Sequence, residues 1–186
     1  MSSSRGKHKL SFEEVRAWFV EFQNESDRAS AVLAVAYLDV QLEQILKAFS
    51  ADQKHLAELL APAQPLGSSA VKRKLCLSLG LISPDEDAEL ECLGKIRNRF
   101  AHEVQGLTFD APPISDLVAN LALPSRVFPR YRTSGRIRFN TSVSFIHLLL
   151  CWRLDAAEKS RRAEVPPAHI PLTKLPGPPE DWPHDL

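Results

Sequence analysis

The apolar residues of this chain recur at helical spacing almost throughout. Phe12, Val15, Trp18, Phe19 and Phe22 lie three and four residues apart, the period of one buried helix face. Ser11 followed by Glu14 forms a capping box, and Leu10 is placed to staple the entry. A first helix over 11–24 is expected. A second runs from Ser26 or Asp27 to about Phe49, with Val35, Leu38, Leu42, Ile45 and Phe49 on one face. Its Ala29, Ala31, Ala34 and Ala36 favour helix and let a neighbour approach closely. A short helix follows over 52–60, and two prolines and a glycine in APAQPLG then break the pattern. Ser68 or Ser69 caps a fourth helix through Leu81, with Val71, Leu75, Cys76 and Leu79 as its core stripe.

The next helix carries a strong start signal. Ser83 caps, Pro84 takes the first helical position and Glu86 completes a capping box. The acidic run DEDAELE suits the positive end of the helix dipole and reads as a wet face. Leu90, Leu93, Ile96 and Phe100 give the apolar stripe, and Lys95, Arg97 and Arg99 favour the negative end. Residues 106–123 are irregular, with a short helix near Ile114 to Leu121. RVFPRYRTSGRIRFN then alternates arginine with apolar residues around Ser134-Gly135, the period-two pattern of a hairpin. A final helix over 141–162 carries Phe145, Leu148, Leu149 and Trp152. The expectation is an all-α fold: a single helical bundle of five to seven helices with one small β-hairpin, over residues 10–163. Residues 1–9 read as disordered. Residues 164–186 form a proline-rich tail, which holds seven of the chain's fourteen prolines and cannot build a core.

Composition narrows the classes. No apolar run reaches the roughly 20 residues that span a bilayer, and MSSSRGKHKL lacks the apolar core of a signal peptide, so a cytoplasmic location is expected. Cys76, Cys92 and Cys151 form no CxxC and are flanked by leucines, which suits reduced, buried thiols. Net charge is zero, with 23 basic and 23 acidic side chains, whereas a dedicated DNA binder carries a positive surplus. The balance conceals an asymmetry. Between Arg126 and Arg162 there are nine Lys or Arg against Asp155 and Glu158, and the remainder carries the matching negative excess.

Two polar clusters bound apolar helices. One is RNRFAH, Arg97 to His102; the other is ESDRA, Glu25 to Ala29. An imidazole can take the proton of a ribose 2′-hydroxyl and a guanidinium can steady a phosphate. Arg97 and His102, with Asn98 to orient them, therefore suit metal-free RNA cleavage. At about 100° per residue they share no helix face and converge only if the helix ends between them. The structural alternative pairs Arg97 with Glu25 or Asp27 and leaves Asn98 and His102 to tie down the helix terminus. Glu25, Asp27 and Arg28 read equally as helix caps. A hard cation could use Glu25, Asp27 and Asp39, but Asp27 and Asp39 lie three turns apart, so no metal and no cofactor is expected. Arg126, Arg130, Arg132, Arg136 and Arg138, interleaved with Phe128, Tyr131 and Phe139, either bind phosphates and stack on bases or form a solvated face. Walker, GxGxxG, GxSxG and HExxH motifs are lacking. The helix pair around Gly80 to Ser83 is a poor helix-turn-helix, because its second helix opens with acids that DNA phosphates repel.

Taken together, the clusters resemble the mannitol operon repressor family (MltR-type regulators). The pattern is ESDRA before an alanine-rich helix with Leu38-Asp39, then Leu79-Gly80-Leu81, IRNxFAH from Ile96 to His102, and Thr108-Phe109-Asp110. The likeness covers roughly Phe19 to Leu150. It implies an all-helical fold and a role in transcriptional repression through a protein partner of the transcription machinery, without a dedicated DNA-binding motif. The R-x-x-x-x-H spacing is also similar to that of HEPN domains. These are helical bundles that often dimerise, and some cleave RNA with an arginine and a histidine from each subunit. Arg97 and His102 match that pair, and Asn98 matches the common second position. The leading expectation is a non-enzymatic regulator, with a homodimer possible. The alternatives are a ribonuclease using Arg97 and His102, and nucleic-acid binding through the basic hairpin.

Overall fold

The computed structural model describes residue 20 and residues 24–103, 106–127 and 134–166. Within them the chain forms helices α1 (Asp27–Phe49), α2 (Gln53–Leu60), α3 (Ser69–Ser78), α4 (Pro84–His102), α5 (Ile114–Ala119), α6 (Ala122–Val127) and α7 (Gly135–Lys159). The predicted first helix lies outside the described residues except for residue 20, as does the tail beyond 166.

Helix α1 is the centre of the bundle and packs against α2, α3, α4 and α7. Ser26 caps it by accepting from the Ala29 amide. Ala31, Ala34, Leu38, Leu42 and Ile45 are all buried. By length and composition α1 could cross a membrane, but half of that window is buried within the bundle, as suits a core helix. Its main partner is α7, which is buried without interruption from Phe139 to Ser144. Small polar residues at Asn140, Thr141, Ser142 and Ser144 let the helices close on one another. At the same seam His147 is buried against the Tyr37 ring, 5.3 Å away. Burial lowers the His147 pKa below its usual value.

Helix α4 behaves as its stripe predicts, with Leu90, Leu93, Ile96 and Phe100 buried. The capping box at Ser83 and Glu86 forms. Phe100 meets Phe109 at 4.9 Å between ring centroids, and Phe109 stacks on Phe139 at 4.7 Å. The three rings join α4, the segment after it and α7 into one core. Cys76 is fully buried, and burial pushes its thiol up to about 12, so it stays an inert thiol.

The predicted hairpin does not form. No strand occurs among the described residues. Ser134, the expected turn residue, is instead the N-cap of α7, accepting from the Ile137 amide. Arginine and apolar residues alternate across this first turn because Phe139 turns into the core while Arg136 and Arg138 reach protein acceptors. Gly135 sits against the 106–110 segment, where a Cβ would run into the Phe109 carbonyl. Segment 128–133 lies outside the described residues. Helix α6 is an element that periodicity alone does not single out.

Two further expectations fail in an instructive way. On α3 the buried positions are Lys72, Arg73 and Cys76, while Val71 and Leu79 are exposed. The cationic heads are held by carboxylates from α1 and α4, which makes their burial tolerable. On α4 the supposed wet face is not wet at Glu86 and Glu89, which are 4% and 3% exposed. Arg153 of α7 donates to Glu86 at 3.1 Å. Glu89 accepts from Ser142 Oγ at 2.6 Å and from the amides of Ala122 and Leu123 at 2.8 and 3.2 Å. It thus serves as the missing N-cap of α6.

Phe109→Ala should cost about 3–5 kcal/mol, read as a lower urea midpoint with an unchanged slope; a midpoint within error of wild type would show that the ring stack carries no weight. The depressed His147 pKa also has a pH consequence. Its contribution is complete above about pH 6.5 and is lost as the pH falls, because the unfolded chain accepts a proton that the core disfavours. Unfolding free energies of wild type and His147→Leu, compared across this range, should show a wild-type loss that the variant lacks.

Candidate functional site

The polar residues singled out from the sequence fall into three places. The first is a junction at the amino ends of α1 and α7. Asp27 Oδ1 accepts from Arg136 Nη1 at 2.7 Å, and its Oδ2 accepts from the Phe109 amide at 3.1 Å. Arg136 also donates to the Glu25 carbonyl at 2.5 Å. Gly135 donates to Asp110 Oδ1 at 2.6 Å. Arg28 donates to the Glu103 carbonyl just past the end of α4. The start of α1 therefore does lie against the end of α4, but through Arg28. The predicted pairing of Arg97 with Glu25 or Asp27 is not made, since Arg136 already occupies the Asp27 carboxylate.

The second place is the carboxyl end of α4. The helix continues through His102, so Arg97 and His102 remain about 140° apart around its axis. The turn that would bring them together is absent. His102 is exposed beside the Arg99–Glu103 ion pair. Asn98 sits between, bordering both the shallow hollow at His102 and a larger cleft at Arg97.

That cleft is the third place. It opens between α1, α3 and α4, with a volume of about 480 Å³. Leu38, Leu42 and Leu93 form its apolar wall, and Asp39, Lys74, Arg97 and Asn98 are among its polar residues. Lys72 donates to Asp39 Oδ2 at 2.9 Å and to Glu43 Oε2 at 3.0 Å. Burial pulls the Lys72 pKa down, but the two carboxylates outweigh it and leave the ammonium above its usual value. Arg73 bridges to Asp87 and, at 3.3 Å, to Glu91. Two groups are left unmatched. Arg97, half-buried, makes no hydrogen bond or ion pair with any described residue. Asp39 Oδ1 is buried without a hydrogen-bond donor. The apolar stripe of Val71, Leu75, Cys76 and Leu79 on α3 does not single out Lys72 or Lys74. The Asp39–Glu43 spacing on α1, one helical turn, was the available sign that a cation would face it.

The arginines assigned to the hairpin are largely engaged in the fold. Arg126 pairs with Asp85 at 2.7 Å, Arg136 with Asp27, and Arg138 donates to the Leu121 carbonyl and Ser125 at 3.2 Å. Arg130 and Arg132 lie outside the described residues. Among the described residues no three His, Cys, Asp or Glu side chains are grouped to hold a metal ion, and Asp39 stands apart from Glu25 and Asp27.

The fold defines a class before it defines a role: an all-helical bundle built around two long helices. Comparison with protein-family models and with curated proteins yields no match. Among solved structures the chain is similar to the MtlR chain in the X-ray structure of the MtlR–HPr complex from Escherichia coli. The TM-score is 0.53 at 19% identity, over 77% of this chain and 98% of that one. The shared property is the fold.

The Asp27–Arg136 pair sets a measurable cost. Asp27→Ala should lose about 2 kcal/mol, since a charged acceptor of two hydrogen bonds is removed. Asp27→Asn, which can still accept from Phe109, should lose less. A double-mutant cycle with Arg136→Ala should give a coupling of about 1 kcal/mol; strict additivity would mean that the pair contributes nothing.

Proposed function

We propose that the protein is a regulator of transcription that acts by binding a protein partner rather than by reading DNA with a helix of its own. The observation that carries this is the correspondence of its bundle with 98% of the MtlR chain, a protein whose structure was solved in complex with HPr. The engagement of charge in the fold supports it. The first turn of α4, which would be the tip of a recognition helix, is tied down by Arg153 at Glu86 and by Arg73 at Asp87. Arg126, Arg136 and Arg138 of the basic stretch hold protein acceptors. Among the described residues, the outer face of α1 is left uncovered. Leu33 and Val40 are 50% and 51% exposed there, seven residues apart on a rigid helix, the kind of apolar surface that marks protein contact sites.

The partner is an HPr-type protein, and the setting is the cytoplasm. The ribonuclease alternative gains no support within one chain, where Arg97 and His102 do not converge. Calorimetric titration of the full chain with HPr from the same organism should show saturable binding. The double variant Leu33→Glu, Val40→Glu should weaken it about tenfold or more, with the helical circular-dichroism spectrum unchanged. No binding, together with target transcription indifferent to deletion of the protein, would remove this reading.

A further inference from the structure

The cleft between α1, α3 and α4 has the features of a binding site for a small molecule. Its walls are helices rather than loops, so its shape is set by the bundle. It combines an apolar wall with a few convergent polar groups, as ligand sites do. Four cations line it, Arg73, Lys74, Lys95 and Arg97, against the carboxylates Asp39 and Glu91. Arg73 and Lys95 are committed to carboxylates within 4 Å. Lys74 and Arg97 are not, and Lys74 senses Glu91 only at longer range. Among the described residues, Arg97 is therefore unpaired on the wall of the cleft, and Lys74, exposed at its mouth, has no carboxylate in direct contact. The Arg97 guanidinium offers a planar fork of donors suited to a phosphate or carboxylate.

Across the same cleft, Asp39 Oδ1 is in the opposite condition. It is buried and accepts no hydrogen bond, a state that costs stability unless something donates to it. Lys72 is already shared between Asp39 Oδ2 and Glu43. A ligand that satisfies both ends carries an anionic group for Arg97 and Lys74 and a donor for Asp39. Two uncommitted cations match a phosphate monoester, which bears nearly two negative charges at neutral pH, better than a single carboxylate. A hydroxyl is the donor that adds no further charge.

The geometry points to a binding site for a small phosphorylated hydroxy compound in this cleft, with Arg97 and Lys74 on the phosphate, Asn98 at its edge and Asp39 accepting from the hydroxyl. This assignment is independent of the regulator reading and of any protein partner. It gives the Arg-Asn pair at 97–98 a role that does not require His102.

The test is isothermal titration of the full chain with glycerol 3-phosphate, inorganic phosphate, methyl phosphate and glycerol. Glycerol 3-phosphate should bind saturably, methyl phosphate and inorganic phosphate more weakly, and glycerol not at all. Arg97→Ala and Lys74→Ala should each reduce glycerol 3-phosphate affinity about tenfold. Both replace side chains without protein partners, so their melting temperatures without ligand should match wild type, and only the ligand-induced rise should shrink. Equal affinity for methyl phosphate and glycerol 3-phosphate would overturn the role of Asp39. Absence of saturable binding by either phosphate ester, or unchanged binding in Arg97→Ala, would overturn the site.

Discussion

One carboxylate at the start of α1 ties together segments that lie 82 and 109 residues away from it in sequence. Asp27 holds Arg136, in the first turn of α7, and the Phe109 amide, in the segment that leaves α4. Without it the amino ends of the two long helices would bring their positive dipole ends together with Arg136 between them. The carboxylate neutralises that accumulation and sets the register of α1 on α7. The ring stack of Phe100, Phe109 and Phe139 lies next to this junction, so a polar clamp and an apolar core constrain the same crossing. Gly135 completes the fit, because only a residue without Cβ lets α7 begin so close to the Phe109 carbonyl.

Elsewhere the bundle also places some ionic groups in its interior. Lys72 sits at 4% exposure between Asp39 and Glu43, and Glu89 at 3% caps α6 while receiving Ser142. Such pairs add little net stability compared with apolar packing, but leaving one unmatched is expensive. They therefore act mainly as registers: α3 can sit on α1 only where Lys72 finds both carboxylates. The same arrangement leaves the cleft with Arg97 and one oxygen of Asp39 unmet. Its polarity is a by-product of how α3 is seated, and the ligand chemistry it suits follows from what remains.

The regulator reading rests on fold and surface rather than on a catalytic constellation. The basic stretch after residue 125 has the alternation of a hairpin that could present arginines to nucleic acid. As the first turn of a helix, its Arg136 and Arg138 hold the bundle together. The Arg-His pair of α4 is separated for an equally simple reason: the helix does not stop between them.

The helical class, the start of α1 at Ser26, the capping box at Ser83 and the buried stripe from Leu90 to Phe100 were legible along the chain, because caps and helix periodicity are local physics. Asp27, Arg28 and Arg97 stand out along the chain as polar residues bounding apolar helices, and Asp39 as one inside an apolar run. Their partners do not. Which carboxylate meets which cation depends on distances between helices that are remote in sequence, and nothing local distinguishes Arg97 from Arg136 as the mate of Asp27. The inward turn of Lys72 and Glu89 was hidden for the same reason, since a charged residue reads as exposed until another helix supplies its counterpart. Local sequence determined where most of the long helices lie and which faces they bury; only tertiary packing decided which charges are matched and which are left open to a ligand.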